Sequence, residues 1–86
     1  MYIILTYDVQ SKRTQLFKKI CQRYLTRVQN SVFEGELTKA QFRELKYEIN
    51  QEIEDGEVVR IWNIADNQIF KIHTIGELHL DEGNLL

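Results

Sequence analysis

The sequence has no proline, one cysteine, four glycines and two histidines in 86 residues. With Cys21 alone, the chain can build neither an intramolecular disulfide framework nor a cysteine-based zinc site, which suits a reducing cytoplasm. His73 and His79 are too isolated for a metal cluster, and neither is near Cys21 in sequence, so nothing local supports a Cys-His nucleophilic pair. Ser31 lacks the flanking glycines of a nucleophile elbow. No Pro- or Ser-rich linker, repeat or internal boundary divides the chain. Its length suffices for one domain and rules out a two-domain enzyme with an interdomain cleft. The apolar run Tyr2-Ile3-Ile4-Leu5 is too short to span a bilayer. It has no basic region before it and no small-residue cleavage site after it, so it reads as neither a membrane anchor nor a secretory signal. At 43% hydrophobic and 28% charged residues, the composition is that of an ordered soluble globule.

Net charge is also small, −2, which on its face argues against a nucleic-acid partner. The average conceals an asymmetry. Residues 1–33 carry six basic groups, Lys12, Arg13, Lys18, Lys19, Arg23 and Arg27, against one acid, Asp8, a balance of +5; residues 34–86 carry −7. Six cations within sixteen residues, with no acid among them, have two readings: a solvated helix face, or a stripe that contacts phosphates without regard to sequence.

The periodicities predict an order of elements. Tyr2–Tyr7 is continuously apolar, β-branched and aromatic, and reads as a central strand covered on both faces. Ser11 is placed to cap a helix from Lys12 to about Thr26, with Leu16, Phe17, Ile20, Cys21, Tyr24 and Leu25 on its apolar face. Val28–Leu37 is strand-like but interrupted at Asn30-Ser31, which implies two short strands or one bulged strand. Thr38 and Gln41 form a capping box opening a second helix, buried through Phe42, Leu45, Ile49 and Ile53 and ended by Asp55-Gly56. Val58–Ile64 and Ile69–Ile75 read as further strands around a turn at Asp66-Asn67. Strand, helix, strand pair, helix, strand is the ferredoxin-like α+β order, βαββαβ, here with an additional C-terminal strand. The expected domain is residues 1–75, followed by an acidic tail, 76–86. Two helices cover only one sheet face. The bare face and spare strand suit a twofold homodimer, in which each spare strand extends the partner's sheet.

Asp8 is the residue most open to a chemical role, because it ends the first strand just before the basic helix. One reading makes it a loop or helix-terminus carboxylate. The other makes it a metal ligand: one carboxylate is a poor site, but Mg²⁺ is commonly held by one or two carboxylates with waters and substrate phosphates, so two copies near a dimer axis suffice. Tyr2, Tyr7, Phe33 and Trp62 read as core or dimer-face aromatics before base-stacking platforms.

Tyr7-Asp8-Val9 at the end of the opening strand, the basic first helix, and above all Arg27-Val28-Gln29-Asn30-Ser31-Val32-Phe33-Glu34-Gly35-Glu36-Leu37-Thr38 resemble the small CRISPR-associated endoribonuclease family of the spacer-adaptation complex. The similarity covers residues 1–75. It implies a cytoplasmic homodimer of ferredoxin-like fold whose strand-end aspartate, here Asp8, is the catalytic residue and the Mg²⁺ ligand shared between subunits. It implies metal-dependent cleavage of RNA or duplex DNA, and partnership with the CRISPR integrase in spacer acquisition. Arg13 and Arg27 fall close to basic positions implicated in that family, and Tyr7, Ser31 and Phe33 lie in the matching motifs. With Lys18, Lys19 and Arg23, the two arginines form the expected nucleic-acid-binding set.

Two functions compete on these residues. A Mg²⁺-dependent phosphodiesterase needs Asp8; a non-catalytic scaffold that holds spacer-precursor DNA and bridges integrase dimers needs the basic helix and little from Asp8. A ferredoxin-like regulatory domain would need a glycine turn at the first strand-helix junction, and Asp8-Val9-Gln10-Ser11-Lys12 has none. An RNA-recognition domain of this topology would need aromatic-rich strand motifs that are missing.

Overall fold

Alternation along the first strand organises the molecule. The computed structural model describes residues 1–64 and 71–76. In β1, Tyr2–Asp8, Ile3, Leu5 and Tyr7 are buried while Tyr2, Ile4 and Thr6 are half-buried and Asp8 is exposed. Among the described residues the helices cover one of its faces, where the unbroken apolar run predicts cover on both. Its second face, Tyr2, Ile4, Thr6 and Asp8, is mixed in polarity and meets no helix among the described residues.

The helix expected from Lys12 to Thr26 is shorter and begins differently. Residues Ser11–Arg13 form a 3-10 turn, and α1 runs Thr14–Gln22. Ser11 does not cap with its side chain; its carbonyl accepts from the Thr14 hydroxyl at 3.0 Å. At the far end the N–H groups of Tyr24 and Leu25 both turn back to the Cys21 carbonyl, at 3.0 and 2.8 Å. That tightening releases the chain into β2, Thr26–Gln29, whose Thr26 pairs with Glu34 of β3, Val32–Glu36. The interruption at Asn30-Ser31 is the turn of this hairpin, with Asn30 at φ +34° and a register shift between Arg27 and Gln29.

The capping box that starts α2, Lys39–Glu52, is formed as expected: Gln41 N–H donates to the Thr38 hydroxyl at 3.1 Å and Thr38 N–H to the Gln41 side chain at 2.9 Å. The helix ends before Asp55-Gly56. Ile53 leaves it in extended conformation, and Gly56, at φ +83°, serves the turn that leads into β4, Val58–Ile64. The fifth strand is described as β5, Lys71–Gly76. Ile69 and Phe70 at its predicted start, the Asp66-Asn67 turn, His79 and the tail from Glu77 lie outside the described residues.

The strands form one antiparallel sheet in the order β2-β3-β1-β4-β5. The first four positions reproduce the ferredoxin-like α+β arrangement, and β5 extends it along β4 of its own chain, from Val58↔Gly76 to Asn63↔Lys71. On the covered face, Phe17, Ile20 and Cys21 of α1 and Phe42, Leu45 and Ile49 of α2 close over Ile3, Leu5, Phe33, Val59 and Ile61. Each fully buried aliphatic or aromatic side chain there contributes about 1.5–3 kcal/mol. On the bare face, cross-strand register aligns Ile4 with Trp62 and Trp62 with Ile72, and Ile72 is 58% exposed.

Candidate functional site

Asp8 is the last residue of β1, one step beyond the central strand's buried Tyr7. By alternation it shares the bare face with Ile4 and Thr6, opposite Val58 of β4. Its carboxylate is exposed and has no hydrogen-bond or ion-pair partner among the described residues. The described residues also contain no group of three His, Cys, Asp or Glu side chains able to hold a metal. Asp8 is thus an unpaired hard-oxygen donor at the strand end, on a face whose described residues also include Ile4, Glu34 and Arg60. No ion pair among the described residues neutralises it, although Arg60, the register partner of Thr6, lies on the same face.

Both flanks of Asp8 are anchored. On one side, Tyr7 N–H donates to the Ser31 carbonyl at 3.2 Å, joining the strand end to the β2–β3 hairpin. On the other, the loop after Asp8 is held by Glu57, the residue before β4 and the one charged residue buried among those described, at 1% exposure. Glu57 Oε2 accepts from Gln10 N–H at 3.2 Å and Arg13 Nε at 2.8 Å; Oε1 accepts from Arg13 Nη2 at 3.2 Å and Glu54 N–H at 3.0 Å. Burial acts to raise the Glu57 carboxyl, but the hydrogen bonds from Arg13, Glu54 and Gln10 and the Arg13 charge outweigh it and hold the group below the usual carboxylate range. Sequence reasoning missed Glu57 entirely. No local pattern marks it, because its partners Gln10 and Arg13 are 47 and 44 residues away.

The five cations expected to bind nucleic acid separate into two groups. Arg13 is spent on the protein itself: it also bridges Glu54 at 3.3 Å, donates to the Glu52 carbonyl, lies 5.5 Å from the centre of the Phe17 ring, and is 16% exposed. Arg23 pairs with Glu48, which also accepts from the Tyr24 hydroxyl. Lys18, Lys19 and Arg27, by contrast, have no carboxylate partner among the described residues. Arg27 Nε donates to the Asn30 carbonyl at 2.9 Å.

Lys18 and Arg27, together with Tyr7 and Ser31, line one cleft of about 380 Å³ between α1 and the β2–β3 hairpin; Thr14, Gln15 and Asn30 complete it. The structure therefore brings four of the expected site residues together on the helix side of the sheet, with Asp8 on the opposite face. Lys19 lies elsewhere on α1, near Arg23 and Glu48. Phe33 joins neither group: it is fully buried, with its ring centre 5.9 Å from that of Tyr7. Its place in the motif is explained by packing. Cys21 is likewise buried, its thiol pushed up to about 12 by burial, with only a weak opposing pull from Arg23.

Comparison with known proteins points in one direction. The family model described as CRISPR associated protein Cas2 matches residues 1–72. A protein of Thermotoga maritima named CRISPR-associated endoribonuclease Cas2 is 40% identical over 77 residues, covering 88% of each chain. One of Methanosarcina acetivorans with the same name is 33% identical over the whole of both chains. Among solved structures, Streptococcus pyogenes Cas2 matches with a TM-score of 0.68 and 35% identity over 76% of this chain and 87% of that one. Another, titled a crystal structure of cas2, matches at 0.69 and 43% over 71% and 70%.

Proposed function

The chain belongs to the CRISPR-associated protein Cas2 family, and from that premise we propose that it is a CRISPR-associated, metal-dependent endonuclease that acts as a homodimer on RNA or duplex DNA and takes part in spacer acquisition with the CRISPR integrase. The observation that carries this reading is Asp8: an exposed carboxylate, unpaired among the described residues, at the end of the central strand and on the sheet face opposite the two helices. The names of the relatives, endoribonuclease and endonuclease, point to phosphodiester hydrolysis.

The residues fit Mg²⁺. Asp8 provides the hard oxygen donor the ion prefers, and both its oxygens are free of protein partners among the described residues. In the proposed dimer, Asp8 of a second copy would supply the other carboxylate. When bound, the ion supplies Lewis acidity and offsets the charge that builds on the phosphodiester oxygens. The row Ile4, Trp62 and Ile72, whose Ile72 is exposed, supports the twofold contact, since a contiguous apolar surface marks a site of interaction. The protein's own contribution is to fix Asp8: the Tyr7–Ser31 backbone bond on one side and the Glu57 cluster on the other hold the strand end and the loop after it.

The test is cleavage of single-stranded RNA and duplex DNA, with Mg²⁺ or with chelator, by wild type and by Asp8→Ala. Wild-type cleavage that requires metal and is lost in a variant of unchanged circular dichroism and elution volume is the expected result. Wild-type rates in the variant, in a preparation free of contaminating nuclease, would overturn it. A scaffold role without chemistry is favoured by one observation: among the described residues of one chain no three His, Cys, Asp or Glu side chains are grouped so that they could hold a metal. It predicts that Asp8→Ala leaves spacer acquisition intact.

A further inference from the structure

The cleft between α1 and the β2–β3 hairpin differs from the rest of the basic surface in two ways. It is concave, and no carboxylate lines it. Arg13 and Arg23, which a linear reading counts as equal members of the basic stripe, are neutralised by Glu57, Glu54 and Glu48. Lys18 and Arg27 keep their charge uncompensated among the described residues and face the same concavity. Around them are the neutral polar side chains of Thr14, Gln15, Asn30 and Ser31. Two cations with amides and hydroxyls, and no acid, form a donor-rich setting suited to a singly or doubly charged oxyanion. The cleft is also fixed relative to Asp8, because the Ser31 carbonyl accepts the N–H of Tyr7, the residue before Asp8.

We propose that this cleft seats a backbone phosphate of the bound polynucleotide, with Lys18 and Arg27 as its charged donors and Gln15 and Asn30 as neutral ones. It rests on the nucleic-acid reading above and deepens it. The phosphate held there is distinct from the one that meets Asp8, because the cleft opens on the helix side of the sheet and Asp8 on the bare side. A strand held at both points wraps the sheet edge, so the cleft sets register and Asp8 sets the position of chemistry.

Binding of a fluorescein-labelled 30-bp DNA duplex by the intact protein, measured in chelator across roughly 50–200 mM salt, tests the assignment without any dependence on cleavage. Lys18→Ala and Arg27→Ala should each weaken binding roughly tenfold at the low-salt end and reduce the slope of log K against log salt by about 0.9. Gln15→Glu puts a carboxylate into the cleft from an exposed helix position, and should weaken binding at least as much while leaving the fold and both cations in place. Arg23→Ala and Lys19→Ala, outside the cleft, should keep the wild-type slope. Equal slope losses in Lys18→Ala, Lys19→Ala and Arg27→Ala would replace the cleft with a diffuse positive surface and overturn the proposal. So would an unaltered slope in Gln15→Glu. Either failure leaves the Asp8 result untouched, and loss of the Asp8 reading leaves this measurement valid.

Discussion

The buried carboxylate of Glu57 allows a sharp test of what holds the loop after Asp8. Substituting glutamine keeps size and shape but exchanges one acceptor oxygen for a donor NH₂. Each Glu57 oxygen accepts two hydrogen bonds, Oε2 from Gln10 and Arg13 and Oε1 from Arg13 and Glu54. Whichever way the amide turns, two donors face another donor. A buried donor left unsatisfied costs about 1–3 kcal/mol, and the residual solvent access of Arg13 favours the lower part of the range, so Glu57→Gln should destabilise the protein by about 2–4 kcal/mol. For a chain of this size that is a fall in Tm of roughly 10–30 °C. Glu54→Gln is the control: that carboxylate is 54% exposed, its bridge to Arg13 spans 3.3 Å, and exposed pairs contribute about 1 kcal/mol or less. The assay is thermal unfolding by circular dichroism at one protein concentration, since association makes Tm concentration-dependent. The pH dependence has a fixed sign. A carboxyl whose folded pKa lies below its unfolded value stabilises fully above the unfolded pKa, about 4.3, and loses that contribution as pH falls through the folded one. The gap between wild type and Glu57→Gln should therefore be widest near neutrality and close in acid below about pH 4. A Tm within about 3 °C of wild type at neutral pH, or a gap that widens on acidification, would refute the clamp.

Two further predictions concern the same corner and the core. Gly76 closes β5 against the residue that precedes β4: it sits at φ +106°, and an added Cβ would lie 2.1 Å from the Glu57 carbonyl oxygen, so Gly76→Ala should strip the Val58 end of the β4–β5 pairing and lower the urea midpoint. Gly35→Ala, whose Cβ is tight only against the movable Leu25 Cδ2 at 3.2 Å and in ordinary contact with Leu25 Cα and Thr26 N at 3.6 and 3.9 Å, should be much milder; equal midpoints for the two variants would contradict the account. Cys21, fully buried and with its thiol near 12, should resist iodoacetamide in the native protein at about pH 8 and react fully in denaturing guanidinium. Native labelling at the rate of a free cysteine would show the α1 face to be open.

Local chemistry made much of the fold legible. The Thr38–Gln41 box is a short-range pattern and formed where it was expected, as did the break at Asn30-Ser31, where an asparagine tolerates positive φ. Strand order followed from element order, because few ways exist to cover one sheet with two helices. Two misreadings share a cause. Tyr2–Tyr7 was expected to be covered on both faces because Ile4 is as apolar as Ile3, and sequence does not reveal whether the covering surface belongs to the same chain. Leu25 continues the helical period of α1 but packs from the turn after it, because pairing of Thr26 with Glu34 captures the chain first. At the candidate site, Asp8 was identifiable as the lone acid of the basic segment, whereas Glu57 was invisible until the fold joined positions 13 and 57.

That joining also changes what the charge asymmetry means. Had the +5 and −7 segments kept to opposite sides, every cation of the first helix would count toward an electrostatic footprint. They interleave instead: Arg13 meets Glu54 and Glu57, and Arg23 meets Glu48. Two formal positive charges are thereby withdrawn from any ligand and spent on packing α2 and its following turn against α1. Of the six, Lys12, Lys18, Lys19 and Arg27 remain without a carboxylate partner among the described residues; Lys18 and Arg27 share a cleft, and Asp8 is unpaired on the other face. An isolated carboxylate next to bare apolar sheet is costly to bring near a polyanion unless a cation accompanies it. Both features fit the proposed twofold contact, in which a second copy would cover Ile4, Trp62 and Ile72 and a divalent ion would turn Asp8 from a repulsive charge into a point of attachment for phosphate.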